Sequence, residues 1–401
     1  MADIPYFISL DEALEITREV GVELETEKTS LDEAHNRILA EDLISKVDDP
    51  PFDNSAMDGF AMIYEDTLNP PTTLEIIAEV QAAHHENLPS VSTGQATRVM
   101  TGAPIPPGAN SILQIEKCEV IGGRVKLLEQ SKPNFIRKQG ENLKKGETIL
   151  KSGEYLTPEK IGLCATIGYP TVEVFKPLKI AIISTGDELK SPGDELNPGE
   201  IYESNSYGLA GLVKSIGHTP VRMNSMADNL GDLRQAFNQA AEDCDIIITS
   251  GGVSMGEYDL VRSIMETEGQ IKFWRIRIRP GSPPLFGLWN NTPIFGLPGN
   301  PVSSHIVFRM LVAPWIRGLT NSIDHLEKRI KVKLATKVKS TKDCLTLRRI
   351  SIEASENGFI GHQKIHQGSG NLASLTHSDA LTLLQPGQSA EPGDWIDAIL
   401  Y

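Results

Sequence analysis

The sequence predicts a multidomain α/β-plus-β protein: a central parallel α/β domain, an inserted β-rich domain, a helical domain made from two segments, and a small C-terminal β-domain. Three observations carry this. The chain has 401 residues, enough for two to four domains at about 100–200 residues each. Its texture changes sharply near residues 46, 145, 177 and 328. From Pro177 onward, short apolar runs alternate with helical patterns, the signature of a parallel sheet joined by right-handed crossovers.

Taken in order, residues 1–45 read as helical, because Leu10, Leu14 and Ile16, then Leu31, Ile38 and Leu39, recur at helix-like intervals. Residues 46–144 are rich in Pro and Gly, with strand-like runs such as TLEIIAEV and RVKLLE. Helical periodicity returns in GETILKSGEYLTPEKIGLCATIG, so 145–176 is expected to pack with 1–45 and make 46–144 an insertion. In 177–327, KIAIIS and DIIITS read as buried strands, ESNSYGLAGLVKSIG as a helix stopped by Gly217, and PVSSHIVFRMLVAPWIRGL as a helix opened by Pro301. In 328–401, KVKLATKVKS, LTLRRISIE and DWIDAIL are short strands.

Lys plus Arg total 38 and Asp plus Glu 53, a net charge of −15. That balance argues against a general nucleic-acid or anionic-membrane binder, since phosphate backbones are held by concentrated Lys and Arg. MADIPYFISLDEALEI lacks a basic segment followed by an apolar core, so no signal peptide, no membrane span and a cytoplasmic setting are expected. Cys118, Cys164, Cys244 and Cys344 are far apart and form no CxxC pair; reduced, mostly buried thiols are the expectation. The nine histidines form no HxH or HExxH set.

In an open parallel sheet, ligands bind beyond the carboxyl ends of the strands. Three segments fall there: STGDEL with Ser184, Gly186, Asp187 and Glu188; SGGVSMGEYD with Gly251, Gly252, Ser254, Glu257 and Asp259; and LPGNPVS with Pro298, Asn300 and Ser303. An Asp after Thr-Gly is often only a turn cap, and Gly-Gly after a strand is often only a turn. Their repetition at one end of a sheet favours a site. Converging acids, joined by Asp228, point to a divalent cation bridging phosphates. Arg275, Arg277 and Arg279 alternate along RIRIRPGSPPLF, as a solvated strand face or as a fork for an oxyanion.

Together DNSAMDGFA, MTGAPIPPGA, STGDEL, SGGVSMGEYD, LPGNPVS and GSGNLASL resemble the molybdopterin molybdenumtransferase family, bacterial MoeA and the matching domain of gephyrin. The TGDEL and SGGVS-type loops also occur in molybdopterin adenylyltransferases; the other segments belong to the longer transferase. The resemblance implies that molybdate and adenylylated molybdopterin give molybdenum cofactor with release of AMP. It also implies a homodimer whose cleft lies between the α/β domain of one subunit and the β-insert of the other. Supply by a molybdopterin adenylyltransferase and delivery to molybdoenzyme apo-proteins follow from it. Carried over, Asp58 and Thr101 face the cleft from the insert, and Glu188, Asp228 and Asp259 surround Mg²⁺ and the pyrophosphate. Molybdate lies near the loop Pro280-Gly281-Ser282-Pro283, with Arg279, Ser303, Arg349 and Ser374 as donors. Two positions depart from the family: Ser282 stands where PGKP carries a lysine, and Asn142 where GED carries a carboxylate. A lost charged hydrogen bond amounts to about 1.5–3 kcal/mol; Arg279 or Lys272 is the candidate to compensate. A paralogue acting as a molybdopterin carrier or scaffold is the competing reading. An adenylyltransferase leaves the insert and the C-terminal domain without a use.

Overall fold

The structure, a computed structural model, describes residues 4–223, 229–253, 259–322 and 328–401. Its centre is a seven-stranded sheet ordered Tyr6–Ile8, Gln270–Ile276, Leu285–Trp289, Thr292–Leu297, Ile246–Ser250, Lys179–Ser184 and Thr219–Arg222. Lys179–Ser184 runs parallel to both its neighbours, and Ile246–Ser250 runs parallel to Thr292–Leu297. The sheet is mixed rather than wholly parallel, because Leu285–Trp289 lies antiparallel to both strands beside it. The two-residue turn Asn290-Asn291 closes that hairpin, and both asparagines adopt the positive φ such turns need.

The apolar runs are continuous because both faces of this sheet are covered. Ile180, Ile182, Ile246 and Ile248 face a cluster formed with helix Asn205–Ser215 and the helical stretch after Pro301. Ala181, Ile183 and Ile247 face the opposite cluster, formed with helices Leu230–Asp243 and Leu260–Thr267. The stretch from Pro301 to Leu319 is helical throughout but passes through a π-turn at Phe308–Val312.

The helical reading of residues 1–45 holds for Leu10–Arg18 and is corrected on either side of it. Tyr6–Ile8 is an edge strand of the central sheet, with Tyr6 opposite Trp274, and helix Leu10–Arg18 buries Leu10 and Ala13 in the central core. That helix opens on a capping box between Ser9 and Glu12. Residues 26–44 form no α-helix, only a single 3₁₀ turn at Leu31–Glu33. Thr26–Ser30 pairs with Thr171–Phe175 and Leu43–Ile44 with Thr148–Leu150, around a small core that includes Leu39, Leu43, Leu156 and Val174. Helix Pro158–Thr166, opened by Thr157 and Pro158, packs on that core.

The insert is a six-stranded sheet in the order Ser111–Gln114, Gly59–Met62, Gln95–Val99, Thr72–Val80, Arg124–Leu127, Cys118–Ile121. Phe60 is fully buried in it, while Met57 is only half-buried. The chain enters and leaves at Asp49 and Leu143, whose backbones are joined by a 2.8 Å hydrogen bond. Residues 329–400 close a five-stranded barrel. Among the described residues no helix is long and apolar enough to cross a membrane.

Candidate active site

A cleft of about 1040 Å³ opens at the carboxyl ends of the central strands, against the edge of the barrel. Three strand ends are stitched together there: Thr185 N–H donates to Ser250 O at 3.1 Å, and Gly251 N–H to Leu297 O at 3.0 Å. Gly251 sits at φ +103°, and a Cβ there would lie 2.7 Å from the Thr185 carbonyl oxygen. Only glycine permits that approach, so the floor of the cleft is bare backbone.

Of the residues named from the sequence, Gly186, Glu188, Gly251, Gly252, Asp259, Arg279, Ser282, Pro298, Asn300 and Ser303 all line this cleft. Glu188 is exposed, and its carboxylate lies over Gly186, where a Cβ would meet Oε2 at 2.6 Å. Asp259 is half-buried at the start of helix Leu260–Thr267. Ser184 lies behind the wall instead: it is buried and its hydroxyl donates to Glu203 at 2.9 Å. Asp187 is exposed and does not line the cleft. Asp228, Ser254 and Glu257 lie outside the described residues.

Two positions need correction. Arg349 is only 1% exposed and does not line the cleft: its Nη2 donates to Gly368 O at 3.2 Å, in the loop whose Gln367, Ser369 and Gly370 do line it, while among the described residues its buried Nε and Nη1 have no hydrogen-bond partner. Burial pushes its pKa down. Alternation along a strand reverses the facing of neighbours, and Arg348 is the one that lines the cleft, anchored by Nε and Nη2 on Lys339 O at 3.2 and 3.0 Å. Ser374 is likewise buried, its hydroxyl given to Asn371 O at 2.5 Å, and the preceding Ser369 and Gly370 line the cleft in its place.

Asp58 and Thr101 sit together on the insert and do not line this cleft. Asp58 Oδ1 accepts from Thr101 N–H at 2.6 Å and from Thr101 Oγ1 at 2.8 Å. Those bonds, the backbone one foremost, hold the Asp58 carboxyl below its usual range.

Models of protein families match almost end to end. The MoeA N-terminal region (domain I and II) matches residues 8–168, the "Probable molybdopterin binding domain" residues 181–318, and the MoeA C-terminal region (domain IV) residues 331–401. A molybdopterin molybdenumtransferase of Haemophilus influenzae is 39% identical over 78% of this chain and 78% of its own length. This chain belongs to the molybdopterin molybdenumtransferase family. A second relative of that name, from Nostoc, is 34% identical over 91% of this chain and 86% of its own. The solved MoeA protein of Pyrococcus horikoshii OT3 superposes with a TM-score of 0.84 at 30% identity, covering 98% of this chain and all of that one.

The two departures from the family pattern have local explanations. Ser282 is buried at the cleft wall and its hydroxyl donates to Ile276 O at 2.9 Å, so it braces the loop rather than reaching outward. The Asn142 amide donates to Asp49 Oδ2 at 3.0 Å, where the chain enters the insert. A carboxylate at 142 would face Asp49 across that distance, so Asn142 belongs to the junction and not to the cleft.

From the sequence ESNS reads only as the opening of a helix, and the roles of Glu203 and Asn205 were missed. Glu203 is 6% exposed and accepts from Ser184 Oγ, Ser206 N–H at 2.7 Å and Ser206 Oγ at 2.6 Å. Asn205 donates through Nδ2 to Ser250 Oγ and Gly299 O, both at 2.7 Å, which locks the helix onto two of the strand-end loops. An acidic side chain just ahead of a helix, able to accept from the N–H groups of its first turn, is the signal that was available.

Proposed function

We propose that this chain inserts molybdate into adenylylated molybdopterin, releasing AMP and forming molybdenum cofactor. The observation that carries the reading is the make-up of the cleft: glycine backbone and the carboxylates of Glu188 and Asp259 from strand-end loops, facing a wall that bears Arg279 and Arg348. Unsubstituted backbone suits close approach of phosphates, and guanidiniums suit a tetrahedral oxyanion.

In this reading the phosphoanhydride lies over Gly251 and Gly252. Glu188 accepts a hydrogen bond from the attacking water and orients it. Water adds across the P–O–P link, so AMP and the pterin phosphate separate. Arg279 and Arg348 hold molybdate by its oxygens, with Ser369 beside them.

Glu188 and Asp259 offer the hard oxygen donors that suit Mg²⁺, which is commonly held by one or two carboxylates plus phosphate oxygens. Among the described residues no three His, Cys, Asp or Glu side chains gather for a metal. When bound, Mg²⁺ neutralises phosphate charge. Asp58 and Thr101 complete the cleft from a second copy of the chain in a homodimer, which accounts for a functional-looking carboxylate that this copy's cleft leaves out. A cytoplasmic setting, supply by a molybdopterin adenylyltransferase and hand-over to apo-molybdoenzymes complete the proposal.

The test is AMP release from adenylylated molybdopterin by purified protein with Mg²⁺, with and without molybdate. Molybdate-dependent release supports the transferase. Tight binding without release replaces it with the carrier reading.

A further inference from the structure

We infer that Tyr202 is the stacking platform for a fused nitrogen heterocycle of the substrate. The inference rests on the transferase reading for the identity of the substrate, but its geometry stands apart from the phosphate and oxyanion groups. Tyr202 lines the cleft and is 47% exposed, and the adjoining Ile201, also on the cleft, is 54% exposed. Two large apolar side chains are thus left in water at the mouth of a site whose floor is glycine backbone and carboxylate.

The ring is held in place. Ile201-Tyr202 pairs in parallel with Leu189-Lys190, so Lys190 lies opposite Tyr202, and Ile201 N–H donates to Glu188 O at 2.8 Å. The Tyr202 hydroxyl reaches across the intervening loop and donates to Asp194 O at 2.9 Å. That loop is tied again by Lys190 and Glu200, 3.2 Å apart. The hydroxyl and the backbone are both fixed, and the side chain of this cleft-lining residue is about half exposed.

Other exposed tyrosines already have a partner for the ring. Tyr6 packs on Trp274 with ring centres 5.1 Å apart, and the Arg222 guanidinium covers Tyr207 at 3.3 Å. Among the described residues Tyr202 has neither a ring nor a cation against it. A fixed, uncovered aromatic side chain on the same cleft as Glu188 is complementary to a flat π-system joined to a phosphate. The substrate carries two such groups, a purine at the AMP end and the pterin, and both share this chemistry.

The experiment compares wild type with Tyr202→Ala, Tyr202→Phe and Tyr202→Trp, using AMP alone and a free pterin alone as calorimetric probes. Steady-state kinetics on adenylylated molybdopterin accompany them. Expected is a loss of roughly tenfold or more in affinity for one of the two probes in Tyr202→Ala, with KM raised and kcat within about threefold. Tyr202→Phe and Tyr202→Trp retain binding, because the face and not the hydroxyl contacts ligand. The probe that loses affinity identifies the end that stacks. Both probes within twofold of wild type in Tyr202→Ala, with KM unchanged, overturns the inference, as does a wild type that binds neither. A wild type that binds a probe through Tyr202 but never releases AMP overturns the transferase reading alone.

Discussion

Replacing Glu203 by alanine should destabilise the central layer and loosen the cleft together. The side chain is 6% exposed and satisfies three donors, Ser184 Oγ, Ser206 N–H and Ser206 Oγ, at 2.9, 2.7 and 2.6 Å. Leaving a buried donor unpaired costs about 1–3 kcal/mol each. The two hydroxyls rotate to new partners, and water from the cleft reaches part of the vacated space. The Ser206 N–H cannot turn away, and Arg222 loses the carboxylate 3.9 Å from Nη2. The net expectation is about 2–4 kcal/mol, with Glu203→Gln near 1 kcal/mol because one carbonyl oxygen still accepts. Urea unfolding followed by tryptophan fluorescence reads the right region, since Trp274, Trp289 and Trp315 all pack in the central layer. Amide exchange at Ser206 gives a local check: protection should fall by roughly 30-fold to 1000-fold. A midpoint equivalent to less than about 0.5 kcal/mol, with Ser206 protection intact, would refute the claim that this carboxylate holds the helix to the sheet.

Burial pushes the His218 pKa down to about 4, and Nδ1 accepts from Leu178 N–H at 3.1 Å, so the neutral ring is the native form. The unfolded chain therefore binds the extra proton between about pH 6.5 and 4; stability is complete above 6.5 and falls through that window by about 3 kcal/mol. His218→Asn should flatten part of the overall slope in unfolding titrations; His305, also near 4 through burial, contributes in the same window. Thr101→Val removes one of two bonds to Asp58, so the Asp58 carboxyl should titrate higher by carboxylate NMR, while an unchanged value would show that the backbone bond alone matters. A Cβ on Gly208 would lie 2.3 Å from His305 Nε2; Gly208→Ala should cost about 1–3 kcal/mol, and adding His305→Ala should cost less than the sum of the singles. Arg348→Ala should raise KM for molybdate about tenfold with little change in melting, whereas Arg349→Ala should unfold the barrel more readily and reach the cleft only indirectly.

Strands covered on both faces were legible because their runs are short and almost wholly apolar, as at Lys179–Ser184, rich in β-branched residues and flanked by Pro and Gly. Residues 26–44 misled because Leu31, Ile38 and Leu39 happen to follow a helical interval. Their partners at 148–175 lie far along the chain, and no local pattern reports a non-local pairing. The same limit hid the hydrogen bonds between Asp58 and Thr101, although both residues stood out by motif. At Arg348-Arg349 the motif located the strand but could not say which neighbour faces inward; barrel closure decides that. Glu203 escaped notice because a lone acid before a helix looks like a cap, and its role depends on Ser184, which belongs to another element.

The edge strand Tyr6–Ile8 has a consequence for how the polypeptide comes off the ribosome. Its only hydrogen-bonded neighbour in the sheet among the described residues, Gln270–Ile276, is made after the insert and both linking segments have emerged. Until then Leu10 and Ala13 of the following helix have no core to enter, because the residues they pack with come from 178 onward. Cutting the gene at residue 177 to express the central layer alone would leave Gln270–Ile276 as an unprotected border, inviting edge-to-edge aggregation. A soluble excised fragment therefore has to carry residues 4–24 in trans or by fusion, because the layer that forms the cleft is tied together from opposite halves of the gene.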